Sequence, residues 1–141
     1  MKMIGWILVF ICICFDVRAQ STSQFFQTHR ILFFFASTCP YCHKEAPILK
    51  RWVDLQGASV MAYSFDGGSL PDFPETYPLG ANLVNAAFQN HAIEYPALFI
   101  LNVKTNVLYP ISIGALDETE LNERLQSLLP KVMQYEARSG E

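Results

Sequence analysis

Residues 31–47 read ILFFFASTCPYCHKEAP, and this stretch decides the fold. Ile31 to Ala36 is an unbroken apolar run without polar alternation, the pattern of a strand covered on both faces. Ser37 and Thr38 follow as helix N-cap candidates, and Pro40 stands in the first turn, where its missing N–H does no harm. Ile48, Leu49, Trp52, Val53 and Leu55 continue at helical spacing as far as Gly57, a stop signal. Cys39 and Cys42 therefore sit where a buried strand gives way to a helix. Unpaired N–H groups and the helix dipole at that point favour a thiolate. Cys39 is accordingly read as the exposed nucleophile and Cys42, one turn further in, as the resolving thiol.

Working outward, Ser59 to Phe65 (SVMAYSF) reads as a second strand ended by Asp66-Gly67-Gly68. Gly67 to Pro78 carries three prolines and reads as a rigid irregular surface segment. Asn82 to His91 places Leu83, Val84, Ala87 and Phe88 on one face of a short helix. Ala97 to Asn102 and Val107 to Ile113 form a hairpin whose second strand, holding Pro110, belongs at an edge or a bulge. Asp117 with Glu120 resembles a capping box, and the leucines that follow keep helical spacing until Pro130, where a kink or an end is expected. Phe25, Phe26, the Phe33–Phe35 run and Trp52 are assigned to the core. Lys44 and Glu45 are assigned to a solvated helix face.

At the N-terminus, Lys2, the apolar run Met3 to Phe15 and the small residues Val17 and Ala19 have the form of an export signal, with cleavage after Ala19. The run is shorter than the ~20 residues a membrane-crossing helix needs, so no stable anchor is expected. Cys12 and Cys14 lie inside it and are read as apolar filler lost with the signal. The domains are then 1–19, a signal peptide, and 20–141, one domain that can bury a conventional core. The whole chain has 10 basic and 13 acidic side chains. This balance excludes a protein built to grip nucleic-acid phosphates, which needs a Lys/Arg surplus.

Export delivers two remaining cysteines, Cys39 and Cys42, to an oxidising compartment. A bridge across two residues closes almost no loop and is a poor staple. The same spacing suits exchange, because the second thiol lies close enough to resolve a mixed disulfide. Two other readings of the pair are half of a zinc site and a redox-inert disulfide in an adaptor. His29, His43 and His91 lack the spacing of a ligand pair, which speaks against zinc, and no metal or other cofactor is expected. His43, beside Cys42, is a candidate for electrostatic tuning of a thiolate.

Four features in order resemble the thioredoxin superfamily across residues 25–130: Cys39-Pro40-Tyr41-Cys42 after a hydrophobic strand, Pro47, Tyr95-Pro96 leading a strand, and Ile113-Gly114-Ala115-Leu116 before the last helix. The resemblance implies an α/β thioredoxin-like fold, a central mixed sheet flanked by helices. It also implies a redox-active dithiol and a cis peptide before Pro96, in a loop that binds substrate backbone, so that Tyr95, Pro96, Pro40 and Tyr41 would contact substrate. CPYCHKEAP, YSFDGG (63–68), the Pro-rich insert and IEYPALFILN resemble, more narrowly, the periplasmic thiol-disulfide isomerases of F-type conjugative transfer systems. This implies a periplasmic protein whose partners are cysteine-containing exported proteins, conjugative pilus or secretion-channel components among them, together with a redox partner that resets the dithiol. Two departures stand out. Phe33 occupies the place of the buried acid of thioredoxins, so proton transfer must use water or another group. Tyr95 is bulkier than the residue usual before the cis-proline.

Overall fold

The computed structural model describes residues 22–89 and 91–140, and the expected export signal, with Cys12, Cys14 and the cleavage point after Ala19, lies outside the described residues. Strand β1 (His29–Phe35) is an inner strand of a four-stranded mixed sheet. It pairs in parallel with β2 (Val60–Ser64) and antiparallel with β3 (Ala97–Asn102), and β3 pairs antiparallel with the edge strand β4 (Leu108–Ile113). Besides helical residues 22–25, the helices among the described residues are α1 (Pro40–Gln56), α2 (Ala81–Phe88) and α3 (Glu118–Ser139). The order β1-α1-β2-α2-β3-β4-α3, with sheet order β2-β1-β3-β4, is the thioredoxin-like arrangement.

The unbroken apolar run of β1 has a two-layer explanation. Ile31, Phe33 and Phe35 join one buried cluster with Leu49 and Val53 of α1 and Leu121, Leu125 and Leu129 of α3. Leu32 and Phe34 point the other way, into a second cluster with Ala87 and Phe88 of α2 and Phe99 of β3. A strand covered on both sides has no use for a polar face. Each fully buried phenylalanine contributes roughly 1.5–3 kcal/mol relative to exposure.

Helix α1 is capped by Cys39 itself, not by Ser37 or Thr38: Cys39 Sγ accepts the Cys42 N–H at 3.2 Å, and the Cys39 backbone is extended. Ser37 lies two residues before the cap position and turns to Asp66 instead, to which its N–H and hydroxyl both donate. Pro40 occupies the first turn as expected, and Gly57, in the left-handed region at φ 65°, ends the helix. In α3 the capping box is complete, with Glu120 N–H donating to Asp117 Oδ1 at 2.8 Å and Asp117 N–H donating to Glu120 Oε2 at 2.9 Å. Pro130 does not end this helix, which runs on to Ser139. Pro130 and Gln126, whose carbonyl loses its partner, are both exposed, so water can satisfy that oxygen, while Leu129 and Val132 hold the helix to the core on its other side.

The Pro-rich segment lies on the free edge of β2. Leu70 and Phe73 are buried in the main cluster, and Tyr77 forms a parallel bridge with Tyr63, its N–H donating to Ala62 O at 2.8 Å. Pro110 is exposed on edge strand β4, beside a register shift between Leu98 and Phe99. At the far end of the sheet, Glu136 Oε1 accepts from Asn102 Nδ2 at 2.8 Å, Tyr109 OH at 2.9 Å and His29 Nε2 at 3.1 Å, joining α3 to three strands.

Candidate functional site

The end of β1 delivers the chain to the N-terminus of α1 through Ala36-Ser37-Thr38, and this junction is pinned from the neighbouring strand. Just past β2, the Asp66 carboxylate accepts from Ser37 N–H at 2.9 Å, Ser37 Oγ at 2.8 Å, Ser64 Oγ at 2.8 Å and Gly68 N–H at 3.0 Å. These donors hold the Asp66 carboxyl well below the usual carboxylate range, the Ser37 N–H acting most strongly. Gly68 passes so close to Ser37 that a Cβ there would meet the Ser37 side chain. From the helix side, the His43 ring, through Nε2, donates to Ser37 O at 2.6 Å.

The two thiols that this junction presents are unequal. Both are free, Cys39 is partly exposed and Cys42 is fully buried. Burial pushes the Cys42 thiol up to about 12, and Cys39 and the Glu45 carboxylate add to the rise. Around them, Pro40 and Tyr41 are exposed on the first turn of α1, and Lys44 lies over the Tyr41 ring. The Tyr95–Pro96 peptide is cis, as the resemblance implied. Pro96 is buried, its carbonyl accepting from Gly114 N–H at 2.8 Å, while Tyr95 is half-exposed and stacks on Phe65, the neighbour of Asp66. Phe65 and Asp66 thus link the Tyr95 side of the rim to the Cys39 junction.

Glu45 corrects the sequence reading. It was expected on a solvated face, yet only 1% of it is exposed, whereas Lys44 beside it is in solvent as expected. The inward face of α1 consists of Cys42, Glu45, Ala46, Leu49 and Val53, so Glu45 follows Cys42 by one turn along a stripe that enters the core. Its Oε1 accepts Leu116 N–H at 3.4 Å, and its Oε2 has no hydrogen-bond partner among the described residues. Burial pushes its carboxyl up to about 7. The signal that could have found it is the phase of the stripe: positions 42, 45, 46, 49 and 53 fall on one face, and a charge there lies inside the protein. Asp66 was also missed as more than a strand terminator, because its partner Ser37 is remote in sequence.

Among the described residues no group of three or more His, Cys, Asp or Glu is placed to hold a metal ion, and no helix is long and apolar enough to cross a membrane. What the arrangement offers is dithiol chemistry: a reachable thiol at a helix N-terminus, a shielded one a turn behind it, and a rim of exposed aromatic side chains.

The chain is similar to several known proteins. A solved thioredoxin-related protein from Neisseria meningitidis serogroup B is 20% identical, with a TM-score of 0.48, covering 70% of this chain and 83% of the other. The MTB dsbF structure, in its mixed oxidised and reduced forms, matches at 20% identity and a TM-score of 0.48 over 75% of this chain and 84% of the other. Protein TrbB of Escherichia coli (strain K12) is 32% identical over 100 residues, which is 71% of this chain. The aligned part spans 55% of the length of that relative. A model of the F plasmid transfer operon protein family, TraF, matches residues 16–126, which takes in the strand, the cysteine pair, the Tyr95–Pro96 loop and the start of the last helix. On that match the chain belongs to the TraF family of F plasmid transfer operon proteins.

Proposed function

We propose that the chain is an exported protein thiol-disulfide oxidoreductase, an isomerase or reductase acting in the periplasm on cysteine-containing proteins of a conjugative transfer apparatus. The observation that carries this reading is the asymmetry of the pair: Cys39 reachable at the N-cap of α1 and Cys42 fully buried behind it. Cys39, as thiolate, attacks one sulfur of a substrate disulfide; a Cys39–substrate bond forms and the other substrate sulfur leaves as a thiolate. Cys42 then attacks Cys39 Sγ, the mixed disulfide breaks, and the substrate departs reduced by two electrons while the pair becomes a disulfide. Where the released substrate thiolate attacks first, the substrate is rearranged and the pair stays reduced, which is isomerisation. Net reduction needs a dithiol partner to return the two electrons. The exposed Pro40, Tyr41 and Tyr95 form the rim that meets the substrate, the buried cis Pro96 sets the backbone beside Tyr95, and His43 steadies the loop before the nucleophile through Ser37. The membership of a transfer-operon family and the likeness to TrbB support the choice of substrates.

Reactivation of scrambled ribonuclease and reduction of insulin by a dithiol test the reading. Turnover by the wild type and none by Cys39→Ala is expected. A wild type that binds these substrates without turning over either is an adaptor, and the enzymatic reading is then wrong.

A further inference from the structure

We propose that Glu45 is the proton acceptor for Cys42 during resolution of the mixed disulfide, the task for which the strand offers only Phe33. The inference rests on the reading of Cys39 as nucleophile and Cys42 as resolving thiol. Glu45 lies one helical turn from Cys42 on the same inward face of α1, is almost wholly buried, and keeps Oε2 without a hydrogen-bond partner among the described residues. Its other oxygen is held by the N–H of Leu116, two residues after Gly114, whose own N–H is anchored on the Pro96 carbonyl. A buried carboxylate oxygen without a donor is costly to keep and is relieved by taking a proton. Phe33, Cys42 and Ala46 share one apolar cluster, so the strand supplies no alternative acid or base there.

The need for an acceptor follows from Cys42 itself. Burial, the largest cause of its raised pKa, persists when Cys39 is bonded to substrate, so Cys42 stays a thiol at neutral pH, and the thiolate is what attacks. A carboxyl raised to about 7 is matched to accept that proton at working pH. The proton of Cys42 passes to Glu45, Cys42 sulfur bonds to Cys39 Sγ, the Cys39–substrate bond breaks, and the substrate sulfur leaves as a thiolate. Glu45 then returns its proton to the leaving thiolate or to solvent. Among the described residues, the ionisable side chains whose charge bears on Cys42 are Cys39 and Glu45, and of these Glu45 is free to accept, because Cys39 is then in the mixed disulfide.

A symmetric chromogenic aromatic disulfide separates the steps, releasing one coloured thiolate when Cys39 attacks and a second when Cys42 resolves. In Glu45→Gln the first release should be unchanged and the second about 100-fold slower. The sign is decisive. A carboxylate acting only through its charge raises Cys42, so its removal would leave Cys42 more acidic and resolution faster. A second release as fast as or faster than wild type therefore overturns the proposal. Glu45→Asp, which keeps an acid, should recover part of the lost rate. The wild type alone gives an independent test: the rate of second release against pH should bend near 7, and a profile without that bend overturns the proposal even if Glu45→Gln fails to fold. Loss of the first release in the wild type would instead overturn the nucleophile assignment, and the Glu45 proposal with it.

Discussion

Glu45 and Cys42 share an environment that penalises charge on either, and the penalty is measurable in the stability of the protein as well as in its chemistry. The folded Glu45 carboxyl, at about 7, lies above its ordinary 4.5. Between these values the unfolded chain is ionised while the folded protein keeps its proton, so stability is fullest below 4.5 and falls as pH rises through 7. The fall is about 3 kcal/mol if the whole shift is realised. Glu45→Gln should flatten the plot of unfolding free energy against pH over that interval. A wild-type plot already level there would mean that the carboxyl titrates normally. That the place of Cys39 and Cys42 at the strand-to-helix junction was legible from sequence and the burial of Glu45 was not has a plain cause. A CxxC pair at a strand-to-helix junction is a local pattern, whereas the burial of a helical charge depends on the turn at Leu116, far along the chain, closing over it.

At the scale of elements, the junction between β1 and α1 depends on the turn that follows β2. Asp66 gathers Ser37, Ser64 and Gly68 around one carboxylate, and the backbone at Gly68 fits only because no side chain stands there. Gly68→Ala would drive its Cβ into the Cβ and Oγ of Ser37, so one segment must move. A loss of about 1–3 kcal/mol, seen as a lower denaturant midpoint with an unchanged slope, is expected. An unaltered midpoint would show that the two segments are not tightly docked. The strands were read nearly to their bounds because their apolar runs stop at polar and turn residues: β3 is Ala97–Asn102 in both the sequence and the structure, whereas α2 ends at Phe88, short of the expected His91. Caps and breakers were harder. Ser37 looked like a cap, yet the helix begins only at Pro40 with Cys39 as its cap, and Pro130 looked like a stop although its helix is held on both sides of it by Leu129 and Val132.

For the whole molecule, Glu136 ties the last helix to β1, β3 and β4 at the end of the sheet where β1 begins, away from the cysteine junction. Burial alone would raise its carboxyl, but the hydrogen bonds from Asn102, His29 and Tyr109 outweigh it and hold the group below its ordinary 4.5. The contribution is therefore present above about 4.5 and lost as pH falls through the lower folded value, opposite in sign to that of Glu45. Glu136→Ala would strand the buried polar atoms of His29 and Asn102 and should cost about 2–4 kcal/mol by chemical denaturation at neutral pH. It should leave the rate of Cys39 alkylation unchanged, and a large change there would mean that the two ends of the sheet are coupled. The central claim, that the pair exchanges disulfides with exported proteins, is tested most directly by trapping. Cys42→Ala produced in its native compartment should accumulate mixed disulfides with cysteine-containing transfer-apparatus proteins, visible on non-reducing gels and dissolved by a reductant, while Cys39→Ala accumulates none. Absence of adducts from Cys42→Ala, where the wild type is found reduced, would contradict it.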